Sequence, residues 1–172
     1  MRKKRFGDWL WGRFTPEIYV NSVLEINFEE LKSLGIKGLL LDVDNTLKAH
    51  YSVTPTAEVR GWLDAAQAAG FELCLVSNGY TSRIEPFAHG LGLRAVGEAM
   101  KPSPAGFRRA AALLGLQISE TCVVGDQLFT DIWGGNKAGA HTLLVKPISK
   151  DEPFYLRMKR HFEKLILNKP PE

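Results

Sequence analysis

Cysteine is scarce in this chain. It occurs only at Cys74 and Cys122 among 172 residues, each inside an apolar run and with no Cys-x-x-Cys spacing. That excludes a disulfide scaffold or a thiolate zinc site and leaves two buried, reduced thiols as the reading. No run approaches the ~20 apolar residues needed to span a bilayer. Behind the basic N-terminus, Gly7, Asp8 and Gly12 interrupt any apolar stretch, so neither a transmembrane helix nor a signal peptide is expected. A phosphate-binding Gly-x-x-x-x-Gly-Lys loop is absent, which argues against an ATP-hydrolysing P-loop protein. There is no internal repeat and no low-complexity segment. Apolar residues make up 45% and charged residues 24%, ordinary values for one globular domain.

Charge is modest in total and uneven in placement. The net value is +3. Residues 1–14 hold Arg2, Lys3, Lys4, Arg5 and Arg13 against Asp8, together with Trp9 and Trp11. Residues 150–172 hold six cations against four acids. A mildly acidic body therefore carries two basic ends, suited to an anionic membrane surface or to nucleic-acid phosphates. Around Phe154, Met158, Phe162 and Leu165, apolar residues recur at helical spacing beside Arg157, Arg160 and Lys164. Two readings stand for that segment: an interfacial helix, or a helix packed on the core.

From residue 36 onward, apolar strand candidates at 38–42, 72–76, 94–96, 121–125 and 142–145 alternate with helical stretches at 56–69, 82–90, 104–115 and 128–138. Asn27 with Glu30 opens a further short helix at 28–34. Gly70, Gly92, Gly115 and Gly139 suit left-handed helix ends, and Pro104 suits a first turn. The expectation is a single Rossmann-like α/β domain: a five-stranded parallel sheet with helices on both faces. Its parts are a basic N-terminal segment with a short helix (1–35), the core (36–147), and a basic C-terminal helix and tail (148–172).

The densest information lies in Leu39-Leu40-Leu41-Asp42-Val43-Asp44-Asn45-Thr46. Three consecutive leucines read as a central strand buried on both faces. Two aspartates then fall at its carboxyl end, where open α/β sheets bind ligands. Their mutual repulsion calls for a shared cation or proton. This spacing suggests a divalent-metal phosphate site with Asp42 and Asp44 in different roles. Three further clusters follow strands or precede helices: Ser77-Asn78, Lys101-Pro102, and Gly125-Asp126-Gln127-Leu128-Phe129-Thr130-Asp131.

In this order and at these positions, the four elements resemble the haloacid dehalogenase superfamily of phosphohydrolases, over roughly residues 36–147. The finer pattern, through Asn136-Lys137, is similar to a branch of small uncapped members that includes phosphatidylglycerophosphate phosphatases. The resemblance implies a Mg²⁺-dependent phosphomonoesterase working through an aspartyl-phosphate. Asp42 is then the nucleophile and Asp44 the general acid and base. Mg²⁺ is held by Asp42, Asp126 and the Asp44 backbone carbonyl. Thr46, Ser77 and Asn78 donate to the phosphoryl oxygens, and Lys101 screens phosphate from Asp42. Asp131 stays open between a minor ligand and a residue behind the ligands.

No cap domain is expected, because residues 47–56 offer only a short loop and the interval from Asn78 to Lys101 fits one helix and one strand. An open site favours a substrate that supplies its own bulk, foremost a phospholipid head group such as phosphatidylglycerophosphate. The expected setting is cytoplasmic, peripheral on the membrane. The alternatives are a soluble, protein or nucleic-acid phosphate ester, nucleic acid being the less expected partner, and a non-catalytic phosphatase-like binding module. Taken singly, each residue also has an ordinary reading. Ser77 caps a helix, Lys101 is a solvated lysine, and Asp126 and Asp131 cap the helix at 128–138. Asn136 and Lys137 end that helix, and His50 is a loop histidine.

Overall fold

The computed structural model describes residues 12–49 and 52–149. Its spine is a sheet of six parallel strands. In chain order these are β1 (Ile18–Val20), β2 (Gly38–Leu41), β3 (Glu72–Val76), β4 (Arg94–Val96), β5 (Thr121–Gly125) and β6 (His141–Val145), arranged β1-β6-β5-β2-β3-β4. Among the described residues, five α-helices accompany them: α1 (Phe28–Ser33), α2 (Ala57–Ala68), α3 (Thr81–His89), α4 (Pro104–Leu114) and α5 (Trp133–Ala138).

β2 is central because nothing in it is polar. All four residues are buried, and it pairs with β3 on one side and β5 on the other. Alternation along the strand sends Leu39 and Leu41 into one core and Leu40 into the other. The first core takes Val59, Trp62 and Leu63 of α2 with Ile84 of α3. The second takes Phe107, Ala110 and Leu114 of α4 with Ala138 of α5. Helices thus cover both faces, as expected.

Two expectations need correction. The sheet has six strands, not five. β1 adds to the outer edge beside β6, Ile18 opposite Leu143. Its three residues, part-exposed and directly after Pro16 and Glu17, are too few to display a period of two. The single helix expected over 128–138 is also two pieces: a wide π-type turn, Leu128–Ile132, and then α5. Such a turn adds a residue to the helical circuit and changes which side chains face inward.

The other helix ends follow local chemistry. Asn27 accepts from the N–H groups of Glu29 and Glu30 at the start of α1, and Thr56 and Ser103 cap α2 and α4. Gly115 and Gly139 close α4 and α5 with φ of 72° and 89°, a region costly for other residues. Among the described residues, no helix is long and apolar enough to cross a membrane. No further helix or sheet strand stands between β2 and α2 among them. The expectations for Arg2, Lys3, Lys4, Arg5, Trp9 and Trp11, for His50, and for the segment around Phe154 to Leu165 fall outside the described residues.

Candidate active site

Strand order reverses across the boundary between β2 and β5, because β3 and β4 lie to one side of β2 and β5 and β6 to the other. The crevice at the carboxyl ends of such strands is where α/β sheets gather ligands. Asp42 directly follows β2 and Asp126 directly follows β5, so the fold places the two carboxylates across that crevice. The Asp42 N–H donates to the Val124 carbonyl at 2.9 Å, extending the sheet pairing up to Asp42.

Asp42 is 7% exposed, Asp126 2% and Asp131 not at all. One carboxylate oxygen of each lies within 4.8 Å of the others. Lys101, equally buried, reaches into this group. Its Nζ donates to Asp42 Oδ1 at 2.5 Å and to Asp131 Oδ1 at 2.6 Å. The Thr46 hydroxyl is 3.1 Å from Asp42 Oδ2 and 3.3 Å from Asp126 Oδ1, so it braces two of the acids. Burial, and then the nearby Asp131 charge, push Asp42 up to about 6 despite Lys101. Lys101 shifts upward: burial opposes its charge, and the Asp131 and Asp42 carboxylates overcome that opposition.

The wide turn after β5 explains Asp131. It points beneath the end of β5, where its Oδ2 accepts the Gln127 N–H at 3.1 Å. Gly125 makes the room, since a Cβ there would lie 2.4 Å from Asp131 Cγ. Of the two readings left open for Asp131, the structure makes it an anchor for Lys101 within ligand reach of a shared ion. It is not a helix cap.

Asp44 faces elsewhere. Asn45 sits in the left-handed region with φ of 66° and turns the chain, its N–H donating to the Lys48 carbonyl at 2.7 Å. The Asp44 carboxylate meets two cations. Arg83 forks onto it, Nη1 to Oδ1 at 3.1 Å and Nη2 to Oδ2 at 2.6 Å, while Lys48 Nζ reaches Oδ1 at 2.7 Å. Burial would raise Asp44, but the Arg83 and Lys48 hydrogen bonds outweigh it and hold the carboxyl below its usual range. The buried carboxylate group thus comprises Asp42, Asp126 and Asp131, of which Asp42 and Asp131 meet Lys101, with the Asp44 side chain outside it.

Ser77 is 3% exposed and its Oγ accepts the Gly79 N–H at 3.0 Å, shaping the turn after β3. It does not cap α3, whose N-cap position is Tyr80. Asn78 is occupied by Lys101: its Nδ2 donates to the Lys101 carbonyl at 3.0 Å and its Oδ1 accepts the Lys101 N–H at 2.6 Å. That reciprocal clasp fixes the backbone from which the Lys101 side chain descends.

Asn136 and Lys137 lie away from the acids. Asn136 Nδ2 donates to the Arg13 and Thr15 carbonyls, and Lys137 Nζ lies 4.7 Å from the centre of the Trp133 ring. Cys74 and Cys122 are buried free thiols, and desolvation pushes Cys74 up to about 12. Sequence reasoning passed over Lys48 and Arg83. Lys48 carries a faint signal in its four-residue spacing from Asp44. Arg83 carries none, because its contact with Asp44 spans 39 positions.

Three buried carboxylates around one ammonium leave an excess of negative charge. The donor set is hard oxygen without histidine or thiolate, which suits Mg²⁺ better than a soft metal. The arrangement has the parts for a two-step displacement: a buried carboxylate at the centre, a second carboxylate beside it and a fixed cation.

The family model for haloacid dehalogenase-like hydrolases matches residues 18–139. The chain is 34% identical over 155 residues to "Probable phosphatase YqeG" of Bacillus subtilis, covering 90% of each. It is 32% identical over 164 residues to "Phosphatidylglycerophosphate phosphatase 1, chloroplastic/mitochondrial" of Arabidopsis thaliana, covering 90% of this chain and 47% of that protein. The chain therefore spans about half the length of the plant relative. Among solved structures, the fold is similar to the cobalt-bound deoxy-D-mannose-octulosonate 8-phosphate phosphatase of Haemophilus influenzae. That match has a TM-score of 0.53 at 16% identity and covers 79% of this chain and 90% of that one. It is similar also to p-nitrophenyl phosphatase from Archaeoglobus fulgidus, with a TM-score of 0.53, 16% identity and coverage of 78% and 99%.

Proposed function

For a chain that belongs to the haloacid dehalogenase-like hydrolase family and is a phosphatase, we propose a Mg²⁺-dependent phosphomonoesterase that acts on phosphatidylglycerophosphate at a membrane surface. The observation that carries the chemistry is Lys101 bridging Asp42 and Asp131 beside Asp126.

Asp42 attacks phosphorus as the bond to the ester oxygen breaks, giving an aspartyl-phosphate. Asp44, which Arg83 and Lys48 hold ionised in the free enzyme, takes up a proton from solvent as substrate binds and hands it to the departing alkoxide. It then takes one from the water that attacks the same phosphorus, releasing phosphate and restoring Asp42. Lys101 holds the Asp42 carboxylate in place and sets a positive charge against the phosphoryl oxygens. Thr46 aligns Asp42 with Asp126, Asn78 holds the Lys101 backbone, and Ser77 shapes the turn that lines the site. Asp42, Asp126 and the Asp44 carbonyl, with Asp131 in reach, would hold Mg²⁺, which would offset charge gathering on the phosphoryl oxygens. The splitting into two steps by a carboxylate explains why Asp42 needs both burial and a dedicated cation.

The substrate assignment rests on likeness to the plant phosphatase and on the short connections around the site. The basic ends at residues 1–14 and 150–172 are the proposed contacts with anionic lipid, each Lys or Arg near the surface being worth about 1 kcal/mol. Purified protein with Mg²⁺ should hydrolyse phosphatidylglycerophosphate in mixed micelles faster than p-nitrophenyl phosphate or a sugar phosphate. A preference for the sugar phosphate would overturn the substrate. Sedimentation with anionic liposomes should be salt-sensitive and largely lost when residues 1–14 are deleted. Absence of binding at low salt would remove the membrane from the reading.

A further inference from the structure

Arg83 stands one turn into α3 and reaches back across the crevice to Asp44. Its side chain is 46% exposed, that of Asp44 20%, and that of Lys48 only 5%. Of the two cations on Asp44, Lys48 is therefore the buried tether and Arg83 the one at the mouth. The guanidinium passes closely over Gly79, where a Cβ would lie 2.4 Å from Nη2 and 3.1 Å from Cζ. A residue without a side chain at that point lets the fork lie flat against the turn and present its donors toward the crevice.

Both Asp44 oxygens are engaged by the fork. Oδ1 takes both Arg83 and Lys48 and Oδ2 takes Arg83, so an incoming ester competes with the fork for this carboxylate. An arginine leaves one oxyanion readily when another of matching geometry replaces it, because the guanidinium keeps a bidentate, charge-assisted partner throughout. Asp44 is assigned to the leaving alcohol, so the groups that first meet Arg83 are those carried on that alcohol.

We propose that Arg83 reads a second oxyanion on the leaving alcohol, exchanging Asp44 for a phosphodiester or similar two-oxygen group a few bonds from the scissile ester. This rests on the reading of Asp42 and Asp44 given above, and it deepens it. The substrate class is a phosphomonoester whose alcohol bears a second, bidentate anion. Substrate binding and the freeing of Asp44 are then one event, which favours esters that bring the anion over esters that lack it. Lysine can replace the fork only in part, keeping the charge but not the bidentate geometry.

The test compares glycerophosphoglycerol phosphate with glycerol 3-phosphate, which has a similar scissile ester and lacks the second anion. Phosphatidylglycerophosphate in mixed micelles repeats the first arm with acyl chains attached, separating the chemistry of the head group from the lipid surface. The wild-type protein should prefer the two-phosphate substrate. Arg83→Ala should reduce that preference about tenfold to hundredfold, the range for lost charge-assisted hydrogen bonds, mainly through KM. Arg83→Lys should recover part of it. An unchanged ratio, or an equal fall in kcat on both substrates, would overturn the proposal and leave Arg83 a positioning residue for Asp44. If neither substrate is hydrolysed, the functional reading fails separately. The exchange is then decided by glycerophosphoglycerol phosphate binding to Asp42→Asn and to the same variant with Arg83→Ala. Equal affinities for the two proteins would overturn it.

Discussion

Replacing Lys101 with methionine removes the ammonium between Asp42 and Asp131 while keeping most of its apolar stem. The side chain is 4% exposed and makes two charge-assisted contacts, at 2.5 and 2.6 Å. Breaking a buried pair by removing one partner costs about 3–5 kcal/mol, because the carboxylates left behind lose their counter-charge where water does not replace it. For a domain of this size 1 kcal/mol moves Tm by about 2–4 °C, so in EDTA the variant should melt roughly 6–20 °C below wild type. The same reasoning fixes the response to metal. A cation that enters the carboxylate group supplies part of the missing charge, and at a hundredfold excess over Kd it adds about 2.7 kcal/mol. The variant has the greater charge imbalance, so Mg²⁺ should raise its Tm more than it raises that of wild type. Thermal unfolding at pH 7, in EDTA and in a Mg²⁺ titration, reads both effects. A variant within 2 °C or so of wild type in EDTA, or a larger Mg²⁺ shift in wild type than in the variant, would refute the assignment of Lys101 as counter-charge to these acids.

Asp42→Asn should lower kcat by at least about 10³-fold, with the fold intact by circular dichroism, because an amide of the same shape is a poor nucleophile. Turnover near wild type would remove Asp42 from its role. Chelation should abolish activity, Mg²⁺ should restore it, and Ca²⁺ should restore it poorly, since Ca²⁺ prefers longer bonds and more ligands. Gly125→Ala should destabilise by about 1–3 kcal/mol in urea and impair catalysis, as the new Cβ meets buried Asp131. Gly61→Ala, in an exposed part of α2 with nothing within 4 Å, should instead stabilise by about 0.5–1 kcal/mol. In EDTA the pH dependence should run opposite to that of an ordinary paired aspartate. Asp42, raised from 3.8 to about 6, contributes stability that is full below its unfolded value and lost as pH rises through about 6. Asp44, depressed, contributes stability above its unfolded value and loses it only in stronger acid. Urea midpoints should therefore rise from pH 7 to pH 5 in wild type and lose that slope in Asp42→Asn.

Much of this protein is written locally. Leu39, Leu40 and Leu41 can satisfy three apolar side chains only in a strand covered on both faces, and that makes β2 central. Its position then puts Asp42 at the ligand-binding edge. Asn27, Thr56, Ser103, Gly115 and Gly139 set helix ends through hydrogen bonds and dihedral preferences reaching only a few residues. Of the four clusters, Asp42 to Thr46, Ser77-Asn78 and Asp126 were legible because each follows an apolar run that folds the same way in any α/β sheet, and Lys101-Pro102 because it stands just before a helix. The tertiary structure decided what depends on distant partners. β1 forms because β6 offers an edge, not because three residues favour a strand. The helix expected over 128–138 opens into a wide turn, and Asp131, with room left by Gly125, finds Lys101 from thirty residues away. Asn78 grips the Lys101 backbone, and Arg83 forks onto Asp44. These contacts close loops of 23 and 39 residues, over which side-chain spacing in sequence carries no angle or distance. The candidate carboxylates and lysine could be read along the chain, whereas the contacts that hold them follow only from where the folded sheet brings them.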